Sequence, residues 1–233
     1  MPDSVVSHPL LSLALTVAVF TAACWINQRL RGHPLVNPVL LSVCVVMVFL
    51  SATDMPYERY FDGAQFIHFL LGPATVALAV PMFRHFDKLR AAALPILVGM
   101  VSGSLAGLVL IVMLGRVLAA DPALVASLAT KSVTAPVAMA IADHTGAIPS
   151  LAAIIAVLAG MTGAAFGPAL LNWLGISEPM ARGLAMGTAS HGQGTARILQ
   201  ESEEAGAVSA IAMGVTALMM AVVMPLLVRI TIS

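Results

Sequence analysis

Residues 124–142 read LVASLATKSVTAPVAMAIA. Leu, Val, Ala, Met and Ile dominate, yet the centre holds Lys131, Ser132, Thr134 and Pro136. The apolar window around them runs from 121 to 142, which puts Lys131 about 15 Å along a helix, near the middle of a hydrocarbon layer about 30 Å thick. A lysine at that depth costs at least about 2.5 kcal/mol. It is either an end-of-helix lysine of a differently placed span, or a cation facing a cavity where it pairs with an anion or carries protons. Ser132 and Thr134 have an ordinary use of their own, bonding back to the carbonyls of their helix. Pro136 favours the second reading of the stretch. Proline removes an amide donor and disfavours helical geometry at Ala135, so two half-helices flank an unwound centre. A broken helix offers a positive N-terminal end and free amides that suit a carboxylate. With a lysine beside them, they describe an anion site.

The rest of the chain provides the setting for such a site. Of 233 residues, 60% are hydrophobic and 9% charged, and the mean hydropathy is +0.99. Soluble domains run near 25% charged, and a fold of this length cannot bury so much apolar surface. The composition predicts an all-α polytopic membrane protein, one integral membrane domain over 1–233. A formal net charge of zero gives no basic surface for nucleic acid. Cys24 and Cys44 both fall in apolar spans and read as small apolar residues rather than a disulfide or metal site.

Eight apolar windows stand near 9–28, 36–53, 66–83, 91–114, 121–142, 150–173, 183–199 and 206–231. Short polar connections, TDMPYERYFDG and QESEEAG among them, separate these windows. The first reads as a retained helix, because its positive residues, Arg29 and Arg31, follow the apolar core instead of preceding it. The Lys/Arg distribution puts Arg29, Arg31, Arg84, Lys88, Arg90 and Arg197 inside, with Arg59, Arg116, Arg182 and Arg229 outside. Both termini are then outside.

The seventh window, RGLAMGTASHGQGTAR at 182–197, complements the fifth. Thr188, Ser190, His191, Gln193, Thr195 and Arg197 alternate with Gly187, Gly192 and Gly194. Small residues let a ligand or neighbouring backbone approach closely. A lone histidine is usually a satisfied core residue; this one sits among glycines and hydroxyls, and its ordinary pKa of about 6.5 suits proton exchange. Asn37 and Thr75 stand at breaks in the second and third windows and are further candidates for the same cavity. In the sixth window, Gly160, Gly163, Gly167 and Pro168 read as kinks and close helix packing.

These residues bring a family into view. NPVLLS at 37–42, GPATVALAVPMF at 72–83, TKSVTAPVAM at 130–139, FGPALL at 166–171 and the segment at 182–197 stand in order. In them the chain resembles the LrgB/CidB family of bacterial membrane proteins, called holin-like or antiholin-like. The resemblance implies kinship with the C-terminal half of a plant plastid glycolate/glycerate carrier. It also implies an association with pyruvate and other small organic acids, and with murein hydrolase control and autolysis. Further implications are a fold of inverted repeats with broken helices, a bacterial inner-membrane location and an LrgA/CidA-like membrane partner.

Two functions follow. The first is a carrier of small monocarboxylates, working by alternating access on a homodimeric or higher oligomeric scaffold and needing no cofactor. Its binding candidates are Lys131, Ser132, Thr134, Pro136, Thr188, His191, Gly192, Thr195, Asn37 and Thr75, with His191 as the proton-coupling candidate. The second is a holin-like pore or a regulator of murein hydrolases, which has no evident use for a buried lysine. An enzyme is the weakest class, since no metal ligand set, activated nucleophile or paired carboxylate stands out.

Overall fold

A computed structural model describes residues 9–30 and 36–231, with side chains over 10–30 and 36–226. Arg31 and the first eight residues lie outside that range. The described residues form helices, turns and loops, with no strand among them. Among the described residues, five stretches are long and apolar enough to cross a bilayer: Leu10–Arg29, Tyr57–Arg84, Ala93–Val117, Pro149–Trp173 and Glu203–Leu226. The chain is an all-α polytopic membrane protein. Its residues group into two compact units, Met1–Ala77 and Leu78–Ser233.

The first unit holds α1 (Pro9–Arg29), α2 (Pro38–Thr53), α3 (Tyr57–Phe69) and α4 (Leu71–Ala77). Helix α1 packs on α2 and α3, and Thr16 Oγ1 meets Tyr60 OH at 2.7 Å. The stretch TDMPYERYFDG, expected as a connection, is mostly helix, because α3 starts at Tyr57. Its polar residues Glu58, Arg59 and Asp62 are exposed while Tyr60 and Gly63 are buried, so the segment is amphipathic rather than a loop. Cys24 is half-buried and Cys44 exposed, so the second thiol lies on an outer surface.

The second unit holds α5 (Ala79–Arg84), α6 (Phe86–Ala91), α7 (Ala93–Val117), α8 (Pro122–Ala129), α9 (Ala135–Asp143), α10 (Pro149–Trp173), α11 (Pro179–Leu199) and α12 (Glu203–Thr231). Helices α7 and α12 run in the same direction. Ile96 shares a buried cluster with Val208 near their starts, and Leu108 shares one with Met220 a dozen residues on. Helix α10 stays unbroken through Pro168 and runs the opposite way. The end carrying Ala93, Trp173 and Glu203 is called side A, and the end carrying Val117 and Pro149 side B.

The fifth and seventh windows were expected to cross the membrane as gapped helices. Neither does. Helix α11 carries a non-helical residue at its centre, His191, with φ 41° and ψ −129°. Were the segment straight, Arg182 and Glu201 would stand about 28 Å apart. Instead Arg182 Nη2 and Glu201 Oε2 pair at 2.7 Å. A Cβ on Gly194 would come within 2.5 Å of the Met186 carbonyl oxygen, eight residues back. The segment is therefore a hairpin that enters from side A, turns at His191 and returns.

The α8–α9 segment folds back as well. The Ile148 amide donates to Ser127 Oγ at 2.9 Å. Collinear arms would carry residue 143 about 24 Å beyond residue 127, and five further residues reach back at most about 17 Å. Asp121 caps the entering arm through the amides of Ala123 and Leu124, with Pro122 as its first residue. The returning arm starts at Ala135, with Pro136 in its first turn and Thr134 extended at the N-cap. Pro136 thus opens an arm instead of interrupting one, and the unwound residues are Thr130–Thr134 just upstream.

Each hairpin is followed by a long helix, α8–α9 by α10 and α11 by α12, and the two assemblies enter from opposite sides. This pairs the fifth window with the seventh. An even offset would make crossing segments parallel, but hairpins do not cross, so the two assemblies are inverted. The hairpin also corrects the charge assignment that set Arg182 opposite Arg197. Both pair with Glu201, so both lie on side A.

Candidate functional site

The entering arm of the second hairpin and the tip of the first lie along one face of α7. Gly99, Gly103 and Gly107 recur every fourth residue and so stand in one row along the helix. A Cβ on Gly99 would meet Leu184 Cδ2 at 2.6 Å, one on Gly103 would lie 3.9 Å from Thr188 Cγ2, and one on Gly107 3.7 Å from Lys131 Nζ. The row follows the entering arm of the second hairpin and ends on the tip of the first. Gly107 is the fifteenth residue of the 25-residue α7, so Lys131 stands near mid-depth.

Lys131 is half-buried, and its one recorded polar contact is donation to Ser132 Oγ at 3.1 Å. No acidic side chain pairs with it among the described residues. Thr134 is half-buried at the same tip and caps nothing with its hydroxyl. Pro136 begins a cleft of about 350 Å3 that runs past Ala140 to His144 towards side B, with Ala221 and Pro225 on its other wall.

His191 is 4% exposed, and its Nε2 lies 2.9 Å from the Ala156 carbonyl oxygen of α10. The imidazole is pressed against Gly160, where an added Cβ would come within 2.7 Å of Cε1. With φ 41° and ψ −129° it lies outside the left-handed helical region, in backbone space sparsely populated by non-glycine residues, at a cost of about 1–3 kcal/mol, and strain of this kind gathers at functional positions. Gly192 follows it, with Met213 Sδ 3.7 Å from where its Cβ would be. Thr195 donates to the His191 carbonyl at 2.8 Å and meets Ser209 Oγ at 2.8 Å, tying the returning arm to α12. Its hydroxyl is engaged in holding the turn.

Small residues explain why the hairpin fits between α10 and α12. Gly163 backs directly onto Ser190, Gly167 onto Met186, Gly183 onto the backbone of Ala205 and Gly187 onto that of Ser209. At the base, Arg182 donates to Asn172 Oδ1 and the Ile176 carbonyl, each at 2.8 Å, besides its pair with Glu201. Asn37 and Thr75 belong to the first unit, where their side chains serve local backbone. Asn37 caps α2 through the amides of Val39 and Leu40, and Thr75 donates to the Leu71 carbonyl.

Ser104 and Thr216 did not stand out in the sequence. Both are buried, and their hydroxyls, like that of Thr188 and the amide oxygen of Gln193, have no hydrogen-bond partner among the described residues. The GxxxGxxxG spacing beside Ser104 was the available signal.

Residues 16–230 match the model of the LrgB-like family. The chain belongs to the LrgB-like family. The uncharacterized protein YxaC of Bacillus subtilis (strain 168) is 33% identical over 207 residues, covering 89% of this chain and 90% of that protein. YwbG of the same organism, also called uncharacterized, is 31% identical over 210 residues, covering 90% and 93%. The antiholin-like protein LrgB of Bacillus cereus (strain B4264) is 27% identical over 218 residues, covering 94% and 95%. No solved structure matches this LrgB-like chain.

Proposed function

We propose that this LrgB-like protein carries small monocarboxylates of the pyruvate, glycolate and glycerate kind across a bacterial inner membrane. The observation that carries the reading is Lys131, a cation near mid-depth on a hairpin tip with no acidic partner among the described residues. A charge kept there at the cost of desolvation needs an anion. Ser132 lies within hydrogen-bond reach of it, Thr134 and Thr188 complete the oxygen contacts, and Pro136 starts the arm behind them. His191 and Gly192 form the opposing tip, and His191 exchanges the coupled proton. Two hairpins from opposite sides suit alternating access, each tip exposing the site to one face in turn.

Side A faces the cytoplasm in this reading. It carries Arg84, Lys88, Arg90, Arg182 and Arg197, against Arg116 and Arg229 at side B. Helix α12 then ends outside. The protein works as a homodimer or higher oligomer, with an LrgA/CidA-like membrane partner.

The name antiholin-like, borne by relatives such as that of Bacillus cereus, favours a second reading, a regulator of membrane permeability and autolysis. Uptake of radiolabelled pyruvate and glycolate into proteoliposomes, run beside release of a bulky dye, separates the two. Saturable uptake without dye release supports the carrier. Dye release without saturable uptake overturns it.

A further inference from the structure

The second unit buries three hydroxyls that have no hydrogen-bond partner among the described residues. Ser104, Thr188 and Thr216 are 5%, 8% and 0% exposed, and Ser104 Oγ, Thr188 Oγ1 and Thr216 Oγ1 each lack a hydrogen-bond partner. Buried polar atoms are nearly always paired, so three together mark a place where something else makes the bonds. Their positions agree. Thr188 packs against Gly103, the neighbour of Ser104. The parallel register of α7 and α12, which groups Ile96 with Val208 and Leu108 with Met220, sets Ser104 level with Thr216. Lys131 lies against Gly107, one helical turn from Gly103.

We infer that Ser104, Thr188 and Thr216 form a neutral subsite, one turn from Lys131, that binds an uncharged oxygen on the carbon next to the substrate carboxylate. The inference rests on the carrier reading and adds a selectivity to it. Lys131 supplies charge and attracts any small carboxylate. Hydroxyls donate and accept alike, so they can bond a hydroxyl, which donates and accepts, or a keto oxygen, which only accepts. A bare methyl group leaves all three unpaired. Sites that hydrogen-bond a substrate oxygen reject the analogue lacking it much more strongly than apolar pockets discriminate by size. The subsite therefore selects glycolate over acetate, and lactate or pyruvate over propionate, although charge and bulk are nearly matched within each set.

The test is calorimetric binding of glycolate and acetate to the purified full-length protein, with Ser104→Ala and Thr216→Val alongside. Both variants are checked for a single folded species by size exclusion and thermal unfolding. The wild type is expected to prefer glycolate by at least about tenfold, and each variant to reduce that ratio by about tenfold. Thr216→Ser, which keeps the hydroxyl, is expected to retain the preference. Folded variants that keep the full wild-type ratio overturn the inference and leave ordered water as what satisfies the three hydroxyls. A wild type that binds both acids equally also overturns it and spares the carrier reading. A wild type that binds neither overturns both.

Discussion

Replacing Lys131 by methionine keeps the unbranched stem and removes the charge. Two effects of opposite sign follow. With substrate present, the variant loses the attraction between an ammonium and a carboxylate. For unit charges about 4 Å apart in a partly screened environment this is about 4 kcal/mol, or roughly a thousandfold in affinity. Without substrate, the variant gains. Among the described residues Lys131 has no acidic partner and one polar contact, to Ser132, so little is lost when the ammonium goes. A lysine at mid-depth costs at least about 2.5 kcal/mol, and half-burial leaves about 1–2 kcal/mol to be recovered. Lys131→Met should therefore unfold at a higher temperature than wild type in acid-free buffer while losing saturable uptake. Thermal unfolding in detergent and uptake into proteoliposomes measure the two halves. A variant that is less stable without acid, yet transports normally, would show that Lys131 is structural and refute the reasoning.

Further outcomes test the hairpins. Gly163→Ala drives a methyl into Ser190 and should destabilise by about 1–3 kcal/mol, whereas Gly214→Ala, with nothing within 4 Å, should be neutral or up to about 1 kcal/mol stabilising; thermal melts compare them. Glu201→Gln weakens the pairs to both Arg182 and Arg197 and should cost about 1.5–3 kcal/mol. Glu203→Gln, whose partner Arg84 is 64% exposed, should cost under about 1 kcal/mol. Single cysteines at Ser177 and Gln200, in a background without Cys24 and Cys44, should label with an impermeant maleimide from the same face of the membrane. Labelling from opposite faces would mean that α11 crosses.

Much of this architecture was legible because hydropathy and breakers report directly on burial and local geometry. In the sixth window Gly160, Gly163, Gly167 and Pro168 were expected as kinks and close helix packing; the close packing is there at the three glycines, and α10 runs as one helix through Pro168. The break near Lys131 was expected from Pro136 and lies at Thr130–Thr134. Direction was not legible. A hairpin and a gapped crossing have the same composition and the same central breakers, and the turn at His191 uses a residue that rarely adopts positive φ. What betrays the hairpin is a long-range ion pair, Arg182 with Glu201, and no local pattern encodes it. Ser104 and Thr216 stayed hidden for a related reason. A hydroxyl in an apolar helix usually bonds its own backbone, and only the packing shows that these two do not.

The central claim is contact between a bound carboxylate and Lys131, and the chain makes that contact measurable because Lys88 and Lys131 are its two lysines. Lys88 pairs with Glu204 at 2.7 Å on side A, away from the tips. Protein carrying 15N at the lysine Nζ atoms, in bilayers with 13C-carboxylate glycolate or pyruvate, gives two resolvable sites for dipolar-recoupling solid-state NMR. Dephasing of one Nζ signal is expected, retained in Lys88→Gln and absent in Lys131→Gln. Saturated protein in which neither signal dephases, or in which the Lys88 signal does, would contradict it.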